Sequence, residues 1–241
     1  MPTLRLQNAT KHYRLGWRRK HEAVIDLTLT IQQGEFIFVV GSSGAGKSTL
    51  LGLLGGVISP QKGFAYLDKI NLKCCFSRRR GKVRKIIGIV QQQDTLLRRL
   101  TIRDNLAAAT KIGLDLFAPE ARIDEKVSKA LGVVGLPGAE NKYPVELGPS
   151  ERRRAELARA IINSPSILIL DELTTNLDED TGWDLLQVLM EINRRGTTVV
   201  MSTQSSSFVN ILRRRVITLR DGKIVGDVQR GRYGEIKGFP L

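Results

Sequence analysis

The stretch Gly41-Ser42-Ser43-Gly44-Ala45-Gly46-Lys47-Ser48-Thr49 decides how this chain folds. It matches the pattern G-x-x-x-x-G-K-[S/T], whose glycines let backbone N–H groups converge on phosphate oxygens. An apolar run from Phe36 to Val40 precedes it and a leucine-rich segment follows it, as a strand and a helix around a phosphate loop require. We therefore predict a nucleotide site in which Lys47 reaches the β and γ phosphates and Ser48 offers an oxygen to Mg²⁺.

A second apolar run, Ile167 to Leu170, ends in the acidic pair Asp171-Glu172. Ligands of α/β sheets bind at the carboxyl ends of the strands, so this pair is expected beside the phosphate loop. We expect Asp171 to hold Mg²⁺ through water and Glu172 to orient or deprotonate the attacking water. An acidic pair after a strand can also be the N-cap of a helix. The phosphate loop favours the catalytic interpretation.

Short β-branched or aromatic runs alternate with helical stretches, which predicts an α/β fold with a mostly parallel sheet. The predicted strands are Leu4 to Leu6, Phe36 to Val40, Ile86 to Val90, Ile167 to Leu170, Thr197 to Ser202, Val216 to Arg220 and Lys223 to Asp227. From about Thr101 to Ile162 the pattern is instead helical, with helices predicted over Ile102 to Lys111, Glu120 to Val134 and Ser150 to Asn163. A helical insertion into an α/β core explains this change.

The 241 residues include 38 Lys plus Arg against 24 Asp plus Glu, a formal net charge of +14. This excess predicts a polyanion among the partners. Much of it lies in three clusters, Trp17 to Lys20, Arg78 to Lys85 and Arg213 to Arg215. They are typical of solvated surface, and an anionic membrane leaflet would attract them. Nucleic acid is the rival partner, but no zinc site or aromatic platform supports it.

The N-terminal residues contain no apolar secretory segment, and glycines interrupt the apolar stretch from Phe36 to Pro60. We therefore expect neither secretion nor a membrane-spanning helix. Cys74 and Cys75 form one vicinal pair, which cannot be drawn as a disulfide framework and indicates a reducing compartment. The sequence predicts a cytoplasmic chain that needs a partner for any work in a membrane.

With these motifs in this order, the chain from about Leu4 to Gly226 resembles the ATP-binding subunits of ABC transporters. Within that family it is most similar to the bacterial cell-division type, with lipoprotein-release and macrolide-export ATPases also similar. The resemblance implies one domain over residues 1–241: a P-loop NTPase (RecA-like) core, an N-terminal antiparallel β region and a helical subdomain at about 94–162. It also implies ATP and Mg²⁺, a homodimer or heterodimer of ATPase subunits, and a transmembrane permease-like partner at the cytoplasmic face of the plasma membrane.

The resemblance gives roles to three further residues. Tyr13 would stack on adenine, and an aromatic residue that closes a β-turn is the alternative. Gln92, within Ile89-Val90-Gln91-Gln92-Gln93, aligns with the glutamine that senses the γ-phosphate and Mg²⁺, and a shift of one residue in this alignment stays open. Asp178 matches the loop that crosses the dimer interface.

Two segments depart from the family pattern. The Leu-Ser-Gly-Gly-Gln/Glu signature, which offers a hydroxyl and backbone N–H groups to the γ-phosphate bound by the opposite subunit, is replaced by Leu147-Gly148-Pro149-Ser150-Glu151. Pro149 has no N–H and Gly148 has no hydroxyl. At the switch, Gln204 replaces the catalytic histidine of the family; it can hydrogen-bond a γ-phosphate oxygen but cannot become positively charged. The chain is therefore expected to be a weakly hydrolysing ATPase or a nucleotide-binding regulatory scaffold that scarcely hydrolyses.

Overall fold

The structure is a computed structural model that describes residues 3–15, 19–74, 77–112 and 119–236. Several residues singled out in the sequence lie outside this description. They are Trp17, Arg18 and Cys75, together with the side chains of Arg19, Lys20, Cys74 and Arg78 to Arg80.

An antiparallel sheet of four strands, in the order β2-β1-β4-β5, forms one layer. Its strands are β1 (Leu4–Leu15), β2 (Arg19–Ile31), β4 (Lys62–Leu67) and β5 (Ile70–Asn71). The N-terminal antiparallel region is as predicted, but its strands extend well beyond the predicted strand Leu4 to Leu6. From Leu27 to Ile31, β2 alternates buried apolar and exposed threonine residues, a pattern of period two that the prediction missed.

The main sheet has six strands in the order β10-β9-β3-β8-β7-β6. Its strands are β3 (Phe36–Val40), β6 (Ile87–Val90), β7 (Ile167–Asp171), β8 (Thr198–Ser202), β9 (Arg215–Arg220) and β10 (Lys223–Val228). The neighbouring strands from β9 through β3, β8 and β7 to β6 are all parallel. Strand β10 pairs antiparallel with β9. The mostly parallel sheet predicted from the sequence is confirmed.

The described helices are α1 (Lys47–Leu54), α2 (Ser77–Ile86), α3 (Ile102–Ile112), α4 (Glu120–Val133), α5 (Pro149–Ile161), α6 (Glu179–Arg194) and α7 (Ser206–Leu212). Helices α3, α4 and α5 lie between β6 and β7 in the chain, contact one another, and agree with the predicted helices to within two residues. Helix α2 was not predicted. Its last residue is Ile86, so the strand that we expected to begin there starts one residue later.

Strand β3 lies between two hydrophobic clusters, which explains why it is apolar throughout. Phe36, Phe38 and Val40 pack into the cluster that includes residues of α3 to α6. Ile37 and Val39 pack into the cluster that includes residues of α1 and the antiparallel sheet. A strand buried on both faces has no polar side to present to solvent. The loop that leaves β3 is therefore attached to a strand that is buried along its whole length.

The basic cluster at Arg213 to Arg215 is not uniformly solvated surface, and this corrects the expectation for Arg215. Its guanidinium donates to Asp227 Oδ2 at 2.6 Å and to Glu35 Oε2 at 3.0 Å. The hydrogen bonds that Arg215 donates to Asp227, opposed by burial, raise the pKa of Arg215 above its usual value. Arg215 therefore ties β9 to β10 and to the start of β3.

Candidate nucleotide site

The loop between β3 and α1 has a backbone that only glycine permits at its ends. Gly46 has a φ of 101°, and a Cβ added there would lie 2.3 Å from the Ala23 carbonyl oxygen. A Cβ at Gly41 would lie 2.4 Å from the Leu219 carbonyl oxygen. At Gly44, where φ is 79°, an added Cβ would meet nothing within 4 Å. The loop is thus tightly packed at both ends and open in the middle, where a phosphate could approach.

The side chain of Lys47 is buried beneath this loop. Its Nζ donates to the carbonyl oxygens of Gly41, at 2.9 Å, and Ser42, at 3.0 Å. The same atom lies 3.7 Å from Glu172 Oε1. The ammonium group therefore lies between the phosphate loop and the acidic end of β7.

The acidic pair is anchored by Ser202, at the end of the neighbouring strand β8. Ser202 Oγ donates to Asp171 Oδ1 at 2.6 Å and accepts from the backbone N–H of Glu172 at 2.9 Å. Glu172 has a φ of 50°, which non-glycine residues seldom adopt and which often marks a functional site. The next helix, α6, begins only at Glu179, so the acidic pair does not cap a helix. The sequence analysis did not identify Ser202 as a residue of the site, although it is the polar end of an apolar strand.

Two glutamines bind the carboxylate of Glu172 from different loops. Gln92 Nε2 donates to Oε2 at 3.0 Å, and Gln204 Nε2 donates to Oε1 at 2.7 Å. Thr175 Oγ1 adds a longer bond to Oε2 at 3.3 Å. Within the run Gln91-Gln92-Gln93, Gln92 is thus the residue whose side chain reaches Glu172.

A cavity of about 270 Å³, which we call the Tyr13 cavity, reaches two neighbours of Glu172, namely Gln92 and Asp171. Its lining includes Tyr13, Ser48, Thr49, Gln92 and Asp171. Tyr13 is 40% exposed and pairs with His21 across β1 and β2, so it lies within a strand and not in a turn. A hydroxyl, a carboxylate and an amide oxygen are hard ligands of the kind that Mg²⁺ prefers. The side chains that line the cavity fit a magnesium nucleotide.

Comparison with known proteins agrees with this geometry. A family model described as ABC transporter matches residues 24–175. The cell division ATP-binding protein FtsE of Bacillus subtilis (strain 168) is 39% identical, over 88% of this chain and 92% of that protein. FtsE of Mycobacterium tuberculosis (strain ATCC 25618 / H37Rv) is 38% identical, over 95% of this chain and 97% of that protein.

The chain belongs to the family of ABC transporter ATP-binding subunits. A solved structure of the ATP-binding cassette MJ0796, a dimer in a post-hydrolysis state with ADP and Pi, is also similar to this ABC ATPase. Its TM-score is 0.87 at 29% identity, with 95% of this chain and 100% of that chain covered. The P-loop NTPase fold predicted from the sequence is confirmed. Within the described ranges, no helix of the ABC ATPase has both the length and the apolar character needed to cross a bilayer.

The altered signature of this ABC ATPase forms the start of α5. Gly148 precedes the helix with a φ of −64°, and Pro149 is its first residue. The N–H of Gly148 donates to Glu151 Oε2 at 2.8 Å. One backbone donor of the segment is therefore absent and another is already bonded within the chain.

The signature and the segment before α6 lie apart from the Tyr13 cavity within one chain. Pro149, Asn176 and Leu177 line a separate cavity of about 260 Å³. Asp178 is the N-cap of α6, since its carboxylate accepts from the N–H and the hydroxyl of Thr181, both at 2.9 Å. The hydrogen bond from the Thr181 N–H, joined by the hydroxyl bond, lowers the pKa of Asp178. Asp178 thus has a capping role that the sequence prediction did not include.

Proposed function

We propose that this ABC ATPase binds Mg-ATP at the Tyr13 cavity and hydrolyses it with Glu172 as the group that orients or deprotonates water. The position of Glu172 carries this proposal. Its buried carboxylate lies 3.7 Å from the ammonium of Lys47 and accepts from both Gln92 and Gln204. A carboxylate that can bind a water at the γ-phosphate end of a phosphate loop suits general-base chemistry.

The other residues of the site bind and orient the nucleotide. Lys47 exchanges the carbonyl oxygens that it now binds for oxygens of the β and γ phosphates, while N–H groups from Gly41 to Thr49 surround the phosphates. Tyr13 stacks on adenine. Ser48, Asp171 and Gln92 would hold Mg²⁺, Asp171 through water, and Gln92 Oε1 is available for this because Nε2 makes the bond to Glu172. Bound Mg²⁺ would neutralise charge that develops on the phosphates.

Relatives of this chain suggest how it works with other subunits. FtsE proteins are named for cell division, and the MJ0796 cassette is a dimer. We infer a head-to-tail homodimer or heterodimer with Gly148, Pro149, Ser150, Glu151 and Asp178 at the interface. The partner in the membrane is a permease-like subunit of the FtsX type, reached through the segment from Gln92 to Asn105. This complex places the chain at the cytoplasmic face of the plasma membrane.

The basic clusters Trp17 to Lys20 and Arg78 to Lys85, together with Arg213 and Arg214, support a location of the chain beside an anionic leaflet. Each basic residue near such a surface adds about 1 kcal/mol of attraction. We expect the full chain to bind vesicles that contain phosphatidylserine or phosphatidylglycerol more tightly than neutral vesicles. Binding should weaken as salt rises, because exposed charges are screened within about 10 Å at 0.1 M. Tight binding to duplex DNA at physiological salt, with no preference among vesicles, would favour a nucleic-acid partner instead.

A second function is favoured by the altered signature. Because Pro149 has no N–H and the N–H of Gly148 is bonded to Glu151, the composite site of a dimer would lack donors to the γ-phosphate. The chain could then act as a regulatory scaffold. ATP would close the dimer, and hydrolysis would scarcely contribute to its opening. Steady-state turnover with and without the membrane partner separates the two functions.

The decisive variant is Glu172→Gln. It should keep ATP affinity within about twofold, because Lys47 and Asp171 are untouched, and lower turnover about 100- to 1,000-fold. Glu179→Gln, which neutralises an exposed carboxylate at the start of α6, is the matched control and should keep full turnover. Undiminished turnover in Glu172→Gln would mean that this carboxylate has a structural role only.

A further inference from the structure

The loop between β6 and α3 contains Gln92, and it is held at both ends although it has no regular structure. At its far end, the buried side chain of Asn105 on α3 makes four bonds to the loop. It accepts from the N–H of Leu97 at 2.7 Å and donates to the carbonyl oxygens of Leu97, Leu100 and Thr101 at 3.1, 3.2 and 2.9 Å. Residues 97–101 are therefore fixed to the start of α3.

At its near end, the loop is held by Glu156 of α5. This carboxylate is only 1% exposed. Its Oε1 accepts from the backbone N–H of Thr95 at 2.8 Å and from Thr95 Oγ1 at 3.2 Å. Its Oε2 accepts from Arg153 Nη1 at 2.7 Å. A buried carboxylate is tolerated because both of its oxygens are bonded.

Two arginines of α5 complete the attachment. Arg153 donates to the backbone carbonyl oxygens of Gln91, at 3.1 Å, and Gln92. Arg159 donates to the carbonyl oxygen of Thr95 at 2.7 Å. Arg153, Glu156 and Arg159 are three residues apart on one face of the helix. Together they bind backbone groups of the loop that would otherwise need water.

These bonds form a continuous connection from α5 to the hydrolytic carboxylate. Arg153 holds the backbone of Gln92, and the side chain of Gln92 donates to Glu172. The helix that carries Arg153 begins at Pro149, in the altered signature. The buried ion pair between Arg153 and Glu156 need not contribute to the stability of the fold. Because it lies on this connection, we infer that it fixes the geometry of the loop.

We propose that Arg153 and Glu156 are positioning residues that fix Gln92 against Glu172. A displacement of the signature end of α5 is then transmitted, within one chain, to the carboxylate that acts on water. The proposal rests on the proposed function in one respect, which is that Glu172 takes part in hydrolysis. It requires no contact between nucleotide and either Arg153 or Glu156.

The first test is Glu156→Gln, which removes the charge that pairs with Arg153 and keeps an amide in its place. We expect kcat for ATP to fall about 10- to 100-fold, because small displacements at a reacting centre have effects of this size, while KM and ATP affinity change less than about twofold. Asp184→Asn is the matched control. Arg154 is on α5, as Arg153 and Glu156 are, and this variant removes the exposed carboxylate on α6 that pairs with it. It should leave kcat unchanged. Equal losses in the two variants would overturn the proposal in favour of general destabilisation.

A double-mutant cycle with Gln92→Ala separates positioning from stability. If Glu156 acts through Gln92, then Glu156→Gln should lower kcat no further in the Gln92→Ala background. Full additivity of the two losses would overturn the proposal. If Glu156→Gln melts too low to be assayed, Arg153→Lys takes its place, because a lysine keeps the charge but lacks the planar fork that reaches both carbonyl oxygens.

Hydrogen exchange gives a readout that does not depend on turnover. Amides in residues 91–97 should exchange faster in Glu156→Gln than in the parent or in Asp184→Asn, with exchange in residues 41–49 unchanged. Unchanged exchange in residues 91–97 would overturn the proposal. If Glu172→Gln shows that Glu172 has no part in turnover, the proposed function fails. The exchange of residues 91–97 then decides by itself whether Glu156 holds the loop.

Discussion

Helices α1 and α5 both begin at segments that we propose bind phosphate, α1 in its own chain and α5 in the opposite subunit of a dimer, and they begin in different ways. Helix α1 follows Gly46, whose φ of 101° turns the chain sharply beneath an open loop. Helix α5 follows Gly148, whose φ of −64° any residue can adopt, and starts with a proline. The first start keeps the features that bind a phosphate, whereas the second has lost donors.

The charges at the two helix starts also favour a phosphate at α1 and disfavour one at α5. Lys47, the first residue of α1, places an ammonium at the helix start. At α5, the carboxylate of Glu151 bonds to the N–H of Gly148 and offsets the positive end of the helix dipole. A γ-phosphate brought to α5 by a second subunit would meet a negative charge. We therefore expect nucleotide binding and completion of the proposed dimer site to be separable in this chain.

The largest expected effect is at the start of α1. Lys47→Ala removes a charge and its hydrogen bonds to the β and γ phosphates together, so ATP affinity should fall at least about 100-fold. Lys142→Ala is the control at the other helix start, because Lys142 Nζ lies 3.9 Å from Glu151 Oε1. It loses the same charge and should keep affinity within about twofold. A titration with fluorescent nucleotide measures both, and equal affinities in parent and Lys47→Ala would refute the site.

The sequence predicted the first helix start well because its information is local. The glycines, Lys47 and the apolar strand before them lie within fourteen residues of one another, counted from Phe36 to Thr49. The acidic pair was predictable for a related reason, because the carboxyl ends of parallel strands share one edge of the sheet.

The parts that could not be predicted depend on contacts between distant residues. The Thr95 N–H bond to Glu156 joins residues 61 apart, and the Ser202 bond to Asp171 joins residues 31 apart. No local pattern indicates that an α5 glutamate binds the loop after β6. Helix α2 was missed for another reason, since its arginines and lysines give no apolar stripe at helical spacing.

A smaller effect is expected from restoring the second helix start. Gly148→Ser, Pro149→Gly and Ser150→Gly return a hydroxyl and a backbone donor, and Gln204→His returns a group that can become charged. Each change alone should leave a site that still lacks a contact. The combined variant should hydrolyse ATP faster by more than the product of the separate gains, because groups that act as a unit are not additive.

The control for the combined variant is thermal melting, because Pro149 suits the first turn of a helix and its loss should reduce stability slightly. Rates are compared only among variants that are folded at the assay temperature. Unchanged turnover in a well-folded combined variant would show that the α5 start does not limit activity. The limit would then be the absent membrane partner.

The smallest effect tests whether the bond that occupies the N–H of Gly148 stabilises α5. Glu151→Ala removes the acceptor and should lower the free energy of unfolding by about 0.5–1 kcal/mol. That corresponds to a loss of about 1–4 °C in Tm for a domain of this size. Glu151→Gln loses the charge, whose exposed pairing with Lys142 contributes little and whose interaction with the helix dipole contributes about 0.3–1 kcal/mol, but it keeps an oxygen that can accept from the same N–H. It should therefore melt closer to the parent. Identical melting of the two variants would mean that the bond contributes nothing.

Both variants also remove the negative charge at this helix start, so both should form the ATP-dependent dimer at lower nucleotide concentration than the parent. An unchanged concentration would mean that the carboxylate lies away from the phosphate of the opposite subunit.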